Sequence, residues 1–337
     1  MSFTTQVPIR WVDLDAQGHV NNAVIPEYAL QAWVAFLTDG GRTELLNELE
    51  VLKAQVQFLA PIPFSTTPIT VELSVLGVTG FRARVDFVMK TGARRVALVR
   101  ATLGFAEADE SKSLTDQQRA WFAHHIVPHG TGTQVLTEKQ VSTSVEVARE
   151  KSRSGERTAI DALAALVSGE QPVTDSTIEL HTSATDPFPP FPNWRVGPEA
   201  YEYDFALRYT DITTTGRISP VALFKMVAEA RVRMNPQDNG KTRMEEAAEA
   251  EMVWLVVRQD AEYLAPIPYA EEPLKVRTAY ARVGNTSLTL VAQIELDGEA
   301  LARTTTVLVA ADSAGTPIPV PDSIAEGINI WPATVAI

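Results

Sequence analysis

Residues 11–24 read WVDLDAQGHVNNAV, and the same frame returns at 209–222 as YTDITTTGRISPVA. Asp13 corresponds to Asp211 and Gly18 to Gly216, both at an offset of 198. The positions between them diverge. Asp15 becomes Thr213, His19 becomes Arg217, and Asn21-Asn22 becomes Ser219-Pro220. One stretch carries a carboxylate, an imidazole and two amides; the other keeps the frame and lacks those groups. Duplication followed by the loss of one site leaves that asymmetry.

Two further echoes occur in the same order. FLAPIPF at 58–64 recurs as YLAPIPY at 263–269, an offset of 205. LVRAT at 98–102 resembles LARTT at 301–305, an offset of 203. Ordered matches at a long, slightly drifting period indicate duplicated domains with loop insertions, not a solenoid of short repeats.

Each copy has the same pattern. A strand (4–12; 201–209) leads into the motif loop and then a helix. Residues 23–37 are apolar nearly all round and include Tyr28, Trp33 and Phe36, as in a buried helix. Asn21 and Asn22 suit its N-cap, Pro26 its first turn and Gly40-Gly41 its end. Strands are expected at 51–59, 69–78, 82–90 and 95–105, which are rich in β-branched residues and separated by Pro and Gly turns. The fold class is α+β, an antiparallel sheet wrapped around a helix. The expected domains are 1–125 and 201–325, with a linker at 126–200 and a tail at 326–337. The linker is Ser/Thr-rich at its start, with one short amphipathic helix at 157–167 and a Pro-rich stretch at 186–198. It reads as a tether that lets the two copies pair within one chain and leaves further self-association open.

The chain has 337 residues, 45% of them hydrophobic, enough for two cores. It contains no cysteine, which excludes disulfides and thiol catalysis. No apolar run is long enough for a membrane span and no leader pattern opens the chain, so a cytoplasmic location is expected. A net charge of −13 argues against nucleic-acid binding. Against that background 80–100 is locally basic, with Arg82, Arg84, Lys90, Arg94, Arg95 and Arg100 beside a single acid, Asp86. Such a strand is either a solvated face or a landing site for the phosphates of a nucleotide-bearing substrate.

An aspartate is ionised at neutral pH, so Asp15 can serve as base or nucleophile. Peptide N–H groups at Asn21 and Asn22 face outward at the positive end of a helix, where an oxyanion would be held. Gly18 permits close approach or a positive φ, and His19 can donate to a carbonyl or orient Asp15. The set suits attack on an activated acyl group. One Asp-x-Asp and one His supply too few ligands for a metal, and no cofactor is called for.

The run 11–22 resembles the motif of hotdog-fold acyl thioesterases of the 4-hydroxybenzoyl-CoA thioesterase type, and that of the plant acyl-ACP thioesterases. The 58–64 and 263–269 words are similar to the strand after the family's helix. The resemblance implies a sheet curled around a long helix and paired with a second copy into one continuous sheet, with active sites at the interface. It places the catalytic carboxylate on Asp15, the carbonyl-polarising N–H on Asn22 and the family's histidine on His19. Gln17 stands where the acyl-ACP pattern has Asn. Gln17, Gly18 and Asn21 would contact substrate, with Arg82, Arg84, Arg94 and Arg95 for a phosphorylated carrier. The family's helical Glu-Ala-Arg is present as Glu229-Ala230-Arg231 but is Gln31-Ala32-Trp33 in the first copy. Thr213, Arg217 and Pro220 would mark a silent counterpart.

The expected activity is hydrolysis of an acyl-CoA or acyl-ACP without cofactor, with no nucleic-acid or membrane partner. Two alternatives stand beside it. One is a hotdog hydratase or dehydratase, whose Asp-x-Asn-Pro-x-His or His-x-x-x-Gly-x-Pro words are absent here; the other is a protein that binds acyl thioesters without cleaving them.

Overall fold

The computed structural model describes residues 2–15, 18–105, 113–126, 188, 191, 194–234, 252–312, 315–322 and 332–335. The helix expected at 157–167 and the Ser/Thr-rich part of the linker lie outside them.

In the N-terminal half, β1 (Phe3–Val7) leads through a 3-10 turn at Trp11–Asp13 to a second such turn at Asn22–Val24 and then to α1 (Ile25–Asp39). A short α2 (Leu45–Glu48) precedes β2 (Glu50–Phe58), β3 (Ile69–Val78), β4 (Arg82–Thr91) and β5 (Arg94–Gly104), and α3 (Asp116–His124) follows. Beyond β6 (Trp194–Val196), the C-terminal half repeats the order. It has β7 (Tyr201–Phe205), a 3-10 turn at Tyr209–Asp211, α4 (Pro220–Met234), β8 (Val253–Tyr263), β9 (Leu274–Val283), β10 (Ser287–Leu296) and β11 (Glu299–Ala311). A last strand, β12 (Ala333–Val335), pairs with β6.

Ten strands form one antiparallel sheet in the order β1-β3-β4-β5-β2-β8-β11-β10-β9-β7. Read from either edge, the order is the same pattern of corresponding strands. The sheet is therefore continuous through the β2–β8 seam, rather than one sheet per copy. The register refines the sequence comparison. Phe58 pairs with Ala97 and Tyr263 with Ala302, so β5 maps onto β11 at an offset of 205. The LVRAT–LARTT match at 203 is thus a slip of two residues. A two-residue slip keeps every side chain on its own face, which is why the words still look alike. The offset changes once, from 198 through the motif to 205 in the strands from β2 and β8 onward.

One side of the sheet carries both helices. Alternate residues such as Val71, Leu73, Val85, Phe87, Val99 and Ala101 are buried in one core with Tyr28, Ala32, Trp33, Phe36 and Leu37 of α1. Burying each large apolar side chain contributes about 1.5–3 kcal/mol. α3, absent from the sequence reading, closes α1 from outside. Phe122 stacks on Trp33 at 6.1 Å and 4°, and Trp121 lies 4.8 Å from Phe36. The opposite face is polar across the N-terminal half and the seam, with Lys90–Glu72 (2.6 Å), Arg100–Asp86 (2.6 Å) and Lys53–Glu262 (2.5 Å) bridging neighbouring strands; in the C-terminal half it buries Ala279 and Val291 against Trp194 and Val196 of β6. Phe188 and Phe191 of the inter-copy segment cover part of it, against Arg100 (4.5 Å) and Lys53 (5.1 Å).

The first strand ends five residues earlier than expected, at Val7. The chain leaves the sheet at Pro8, and Arg10–Asp13 closes on itself as a 3-10 turn. No helix among the described residues is long and apolar enough to cross a membrane.

Candidate active site

The motif loop is built by backbone hydrogen bonds that bring its two ends together. Asp15 N–H donates to His19 C=O (2.8 Å), Gly18 N–H to Asp15 C=O (3.0 Å) and Asn21 N–H to Asp13 C=O (2.8 Å). Gly18 takes φ +77, a left-handed conformation costly for a residue with a Cβ. Val20 N–H reaches Ile62 C=O (2.8 Å), and His19 bridges to Pro63, so the loop leans on the segment after β2. Asp15 and His19 are brought together and half-buried, with the His19 N–H 3.3 Å from Asp15 Oδ1.

The helix start is more specific than its sequence suggested. Asn21 is the cap: its Oδ1 accepts from Ala23 N–H at 2.9 Å. Asn22 is the first residue of the turn, and its own N–H meets no acceptor among the described residues. α4 of the other half packs against this turn, which puts it at the junction of the halves. A backbone donor without an internal acceptor at a helix start suits an anionic oxygen.

Asp13, which read as scaffold, holds the loop from behind. Its carboxylate is buried and accepts from Arg10 N–H (2.9 Å), Arg10 Nη2 (2.7 Å) and Tyr28 Oη (2.7 Å). Burial alone would raise this carboxyl. The Arg10 guanidinium, the Tyr28 hydroxyl and the Arg10 N–H outweigh it and hold the group below the usual carboxylate range. Burial and the neighbouring Asp13 carboxylate together push the Tyr28 phenol well above its ordinary value. Arg10 also meets Glu27 of α1 at 2.6 Å. Arg10 was detectable in the sequence, because Arg-x-x-Asp occurs at both 10–13 and 208–211. Tyr28 was not, since a tyrosine in an apolar helix reads as core.

The C-terminal loop has the same backbone. Thr213 N–H donates to Arg217 C=O (2.7 Å), Gly216 N–H to Thr213 C=O (3.0 Å) and Ser219 N–H to Asp211 C=O (2.8 Å); Gly216 has φ +76. Ser219 Oγ caps Val221 N–H at 3.3 Å. The chemistry differs. A hydroxyl replaces the carboxylate of Asp15, and Pro220, in the place of Asn22, has no N–H to offer. This loop is also engaged across the junction, with Thr214 Oγ1 on Asn47 Oδ1 (2.9 Å) and Arg217 on Glu50. In α4, Glu229 pairs with Arg233 (2.8 Å) rather than with Arg231, whose guanidinium burial lowers to about 10.

The arginines form two separate pairs. Arg82 and Arg84 lie toward the start of β4, Arg84 opposite Thr102; Arg94 and Arg95 lie at the β4–β5 turn, opposite Thr91 and Lys90. The extended strand between residues 84 and 90 spans about 20 Å. Gln17 lies outside the described residues. Among the described residues no group of three or more His, Asp or Glu is placed to hold a metal.

A model of the thioesterase-like superfamily matches residues 9–191, and the chain belongs to that hotdog-fold family, whose typical activity is acyl-thioester hydrolysis. Solved structures share the fold over nearly the whole length. A Lactobacillus plantarum protein provisionally described as an oleoyl thioesterase is 10% identical, with a TM-score of 0.59 over 95% of this chain and 98% of its own. The 12:0-ACP thioesterase of Umbellularia californica is 11% identical, with 0.56 over 92% and 94%. An acyl-ACP thioesterase from Bacteroides thetaiotaomicron is 10% identical, with 0.54 over 91% and 97%. No curated protein matches the chain.

Proposed function

We propose that the chain hydrolyses an acyl thioester, an acyl-CoA or acyl-ACP, to the free acid and thiol at a single working site in its N-terminal half. In this reading 1–125 and 201–325 are two hotdog units paired within one chain, with 126–200 as tether and 326–337 as tail. Asp15 either takes a proton from the attacking water or adds to the carbonyl carbon itself to give an anhydride that water then opens. In both routes the carbonyl oxygen becomes an anion facing the Asn22 N–H, and its collapse breaks the C–S bond and releases the thiolate. His19 orients the loop and the thioester, and Gln17, Gly18 and Asn21 line the approach. The phosphates of a CoA carrier would take one arginine pair, Arg82–Arg84 or Arg94–Arg95, but not both.

The observation that carries this reading is the pair of matched loops. Fold, turn geometry and capping bond recur in both halves, while the carboxylate and the free N–H occur together in only one. A panel of acyl-CoAs with a colorimetric thiol reagent tests it. Wild type should release thiol, and Asp15→Asn should lower turnover by about 10²–10⁴ with folding intact. Full activity in Asp15→Asn would remove that residue from the mechanism.

A further inference from the structure

The two halves differ at one further place, behind the loop. In the C-terminal half Asp211 keeps its arginine fork, with Arg208 N–H at 2.9 Å and Arg208 Nη2 at 2.9 Å. Its carbonyl still receives the Ser219 N–H. The residue that corresponds to Tyr28 at the offset of 198 is Met226, and the one that corresponds to Glu27 is Lys225. The fork therefore suffices to fold the loop, and the helix-borne anchors occur only where the reactive groups occur.

We propose that Tyr28 is a positioning residue for thioester hydrolysis, acting through Asp13 to fix the Asp15 carboxylate relative to the Asn22 N–H. The inference rests on the functional reading above. Asp13 links both parts of the site. Its carboxylate receives the Tyr28 hydroxyl at 2.7 Å, its carbonyl holds the Asn21 N–H at 2.8 Å, and Asp15 lies two residues further along. Asn21 in turn caps the turn whose first N–H is that of Asn22. A hydroxyl from the second turn of the helix-forming segment thus ties α1 to the loop it launches. Arg10, held by Glu27 at 2.6 Å, adds a second tie from the same helix. Small displacements between a base and an oxyanion donor cost turnover rather than binding, because they act on the reacting geometry.

The test is a double-mutant cycle on the full chain, read by thiol release. Tyr28→Phe should lower kcat about tenfold, equivalent to about 1.4 kcal/mol, with KM within about twofold of wild type. In an Asp15→Asn background the same substitution should have little further effect, since the two act on one step. Met226→Tyr in the other half should leave kcat unchanged. If Tyr28→Phe fails to fold, Tyr28→Met, the residue the other half tolerates, replaces it with the same expectation. Wild-type kcat in Tyr28→Phe, or an equal loss with and without Asp15, would overturn the inference. A wild-type chain that releases no thiol from any acyl-CoA or acyl-ACP would instead overturn the functional reading.

Discussion

Asn22→Pro separates the folding role of the helix start from its chemical role. Asn21, the residue before it, has φ −59 and ψ 133, the extended conformation that a following proline requires. Asn22 begins a 3-10 turn, whose φ is within the range of the proline ring. Its N–H makes no hydrogen bond among the described residues, so removing it orphans no acceptor there. The C-terminal half carries Pro220 at this position, and the adjoining bond is preserved: Ala222 N–H to Ser219 C=O is 2.9 Å, against 2.8 Å for Val24 N–H to Asn21 C=O. Stability should therefore be unchanged or rise by about 0.4–1 kcal/mol through the stiffer unfolded chain, a Tm gain of at most about 2 °C. Turnover should fall by about 10²–10³, the loss of about 2.7–4 kcal/mol expected when one oxyanion donor is removed. Asn22→Ala, which keeps the N–H, is the control for the lost side chain. Thiol-release kinetics and a thermal melt on the three proteins decide the matter. An Asn22→Pro protein within about threefold of Asn22→Ala would refute the oxyanion role. A Tm fall of several degrees would show that the fold itself uses that N–H.

Other expectations follow from the same comparison. Thr213→Ala should leave kcat/KM unchanged, and a large loss would contradict the silence of the second loop. Gly18→Ala and Gly216→Ala each place a Cβ at positive φ with nothing within 4 Å of it, so each should cost about 1–2 kcal/mol in denaturant titrations from backbone strain alone; only Gly18→Ala should also reduce turnover. Asp13 and Asp211 both sit below the ordinary carboxylate range in the folded chain. Their contribution is complete above the unfolded value of about 3.9 and is lost as pH falls through the folded values. Their share of the stability in melts from pH 7 to pH 3 should therefore be level at first and fall away below about pH 4. Asp211→Asn should flatten that acid limb without touching kcat, and an unaltered limb would remove Asp211 from the account.

The repeat and the loop were legible because hydrogen-bonded turns need particular residues at particular places. Gly18 and Gly216 mark the positive-φ corner, and Asn21 and Ser219 the cap, whatever packs around them. The limits of β2 to β5 were legible for the same local reason, within one residue, whereas β1 and β7 stop four or five residues short because the chain turns into the Arg-x-x-Asp loop. What was not legible depended on chain segments meeting across space. Tyr28 has the sequence signature of a core residue, and only the fold brings Asp13 within 2.7 Å of its hydroxyl. The basic run is contiguous in sequence, and the β4–β5 pairing spreads it along a hairpin. α3 carries a weak sequence signal, because its residues are mostly polar outside Trp121 and Phe122 and only its Thr115–Gln118 capping box marks a helix start. The slipped third echo shows the limit of a strand's pattern: period two fixes the face but not the register.

At the β2–β8 seam, Gln55 lies opposite Asp260, and these are corresponding residues of the two halves at the offset of 205. Glu27 and Lys225, corresponding at 198, also meet, at 3.8 Å. In an assembly of two identical subunits a residue on the dyad must face its own double, so a carboxylate there would oppose a carboxylate. Joining the subunits into a single polypeptide lifts that restriction. The two members of each dyad pair have been free to become complementary, an amide against an acid and a cation against an anion, an arrangement no gene encoding one subunit twice could reach.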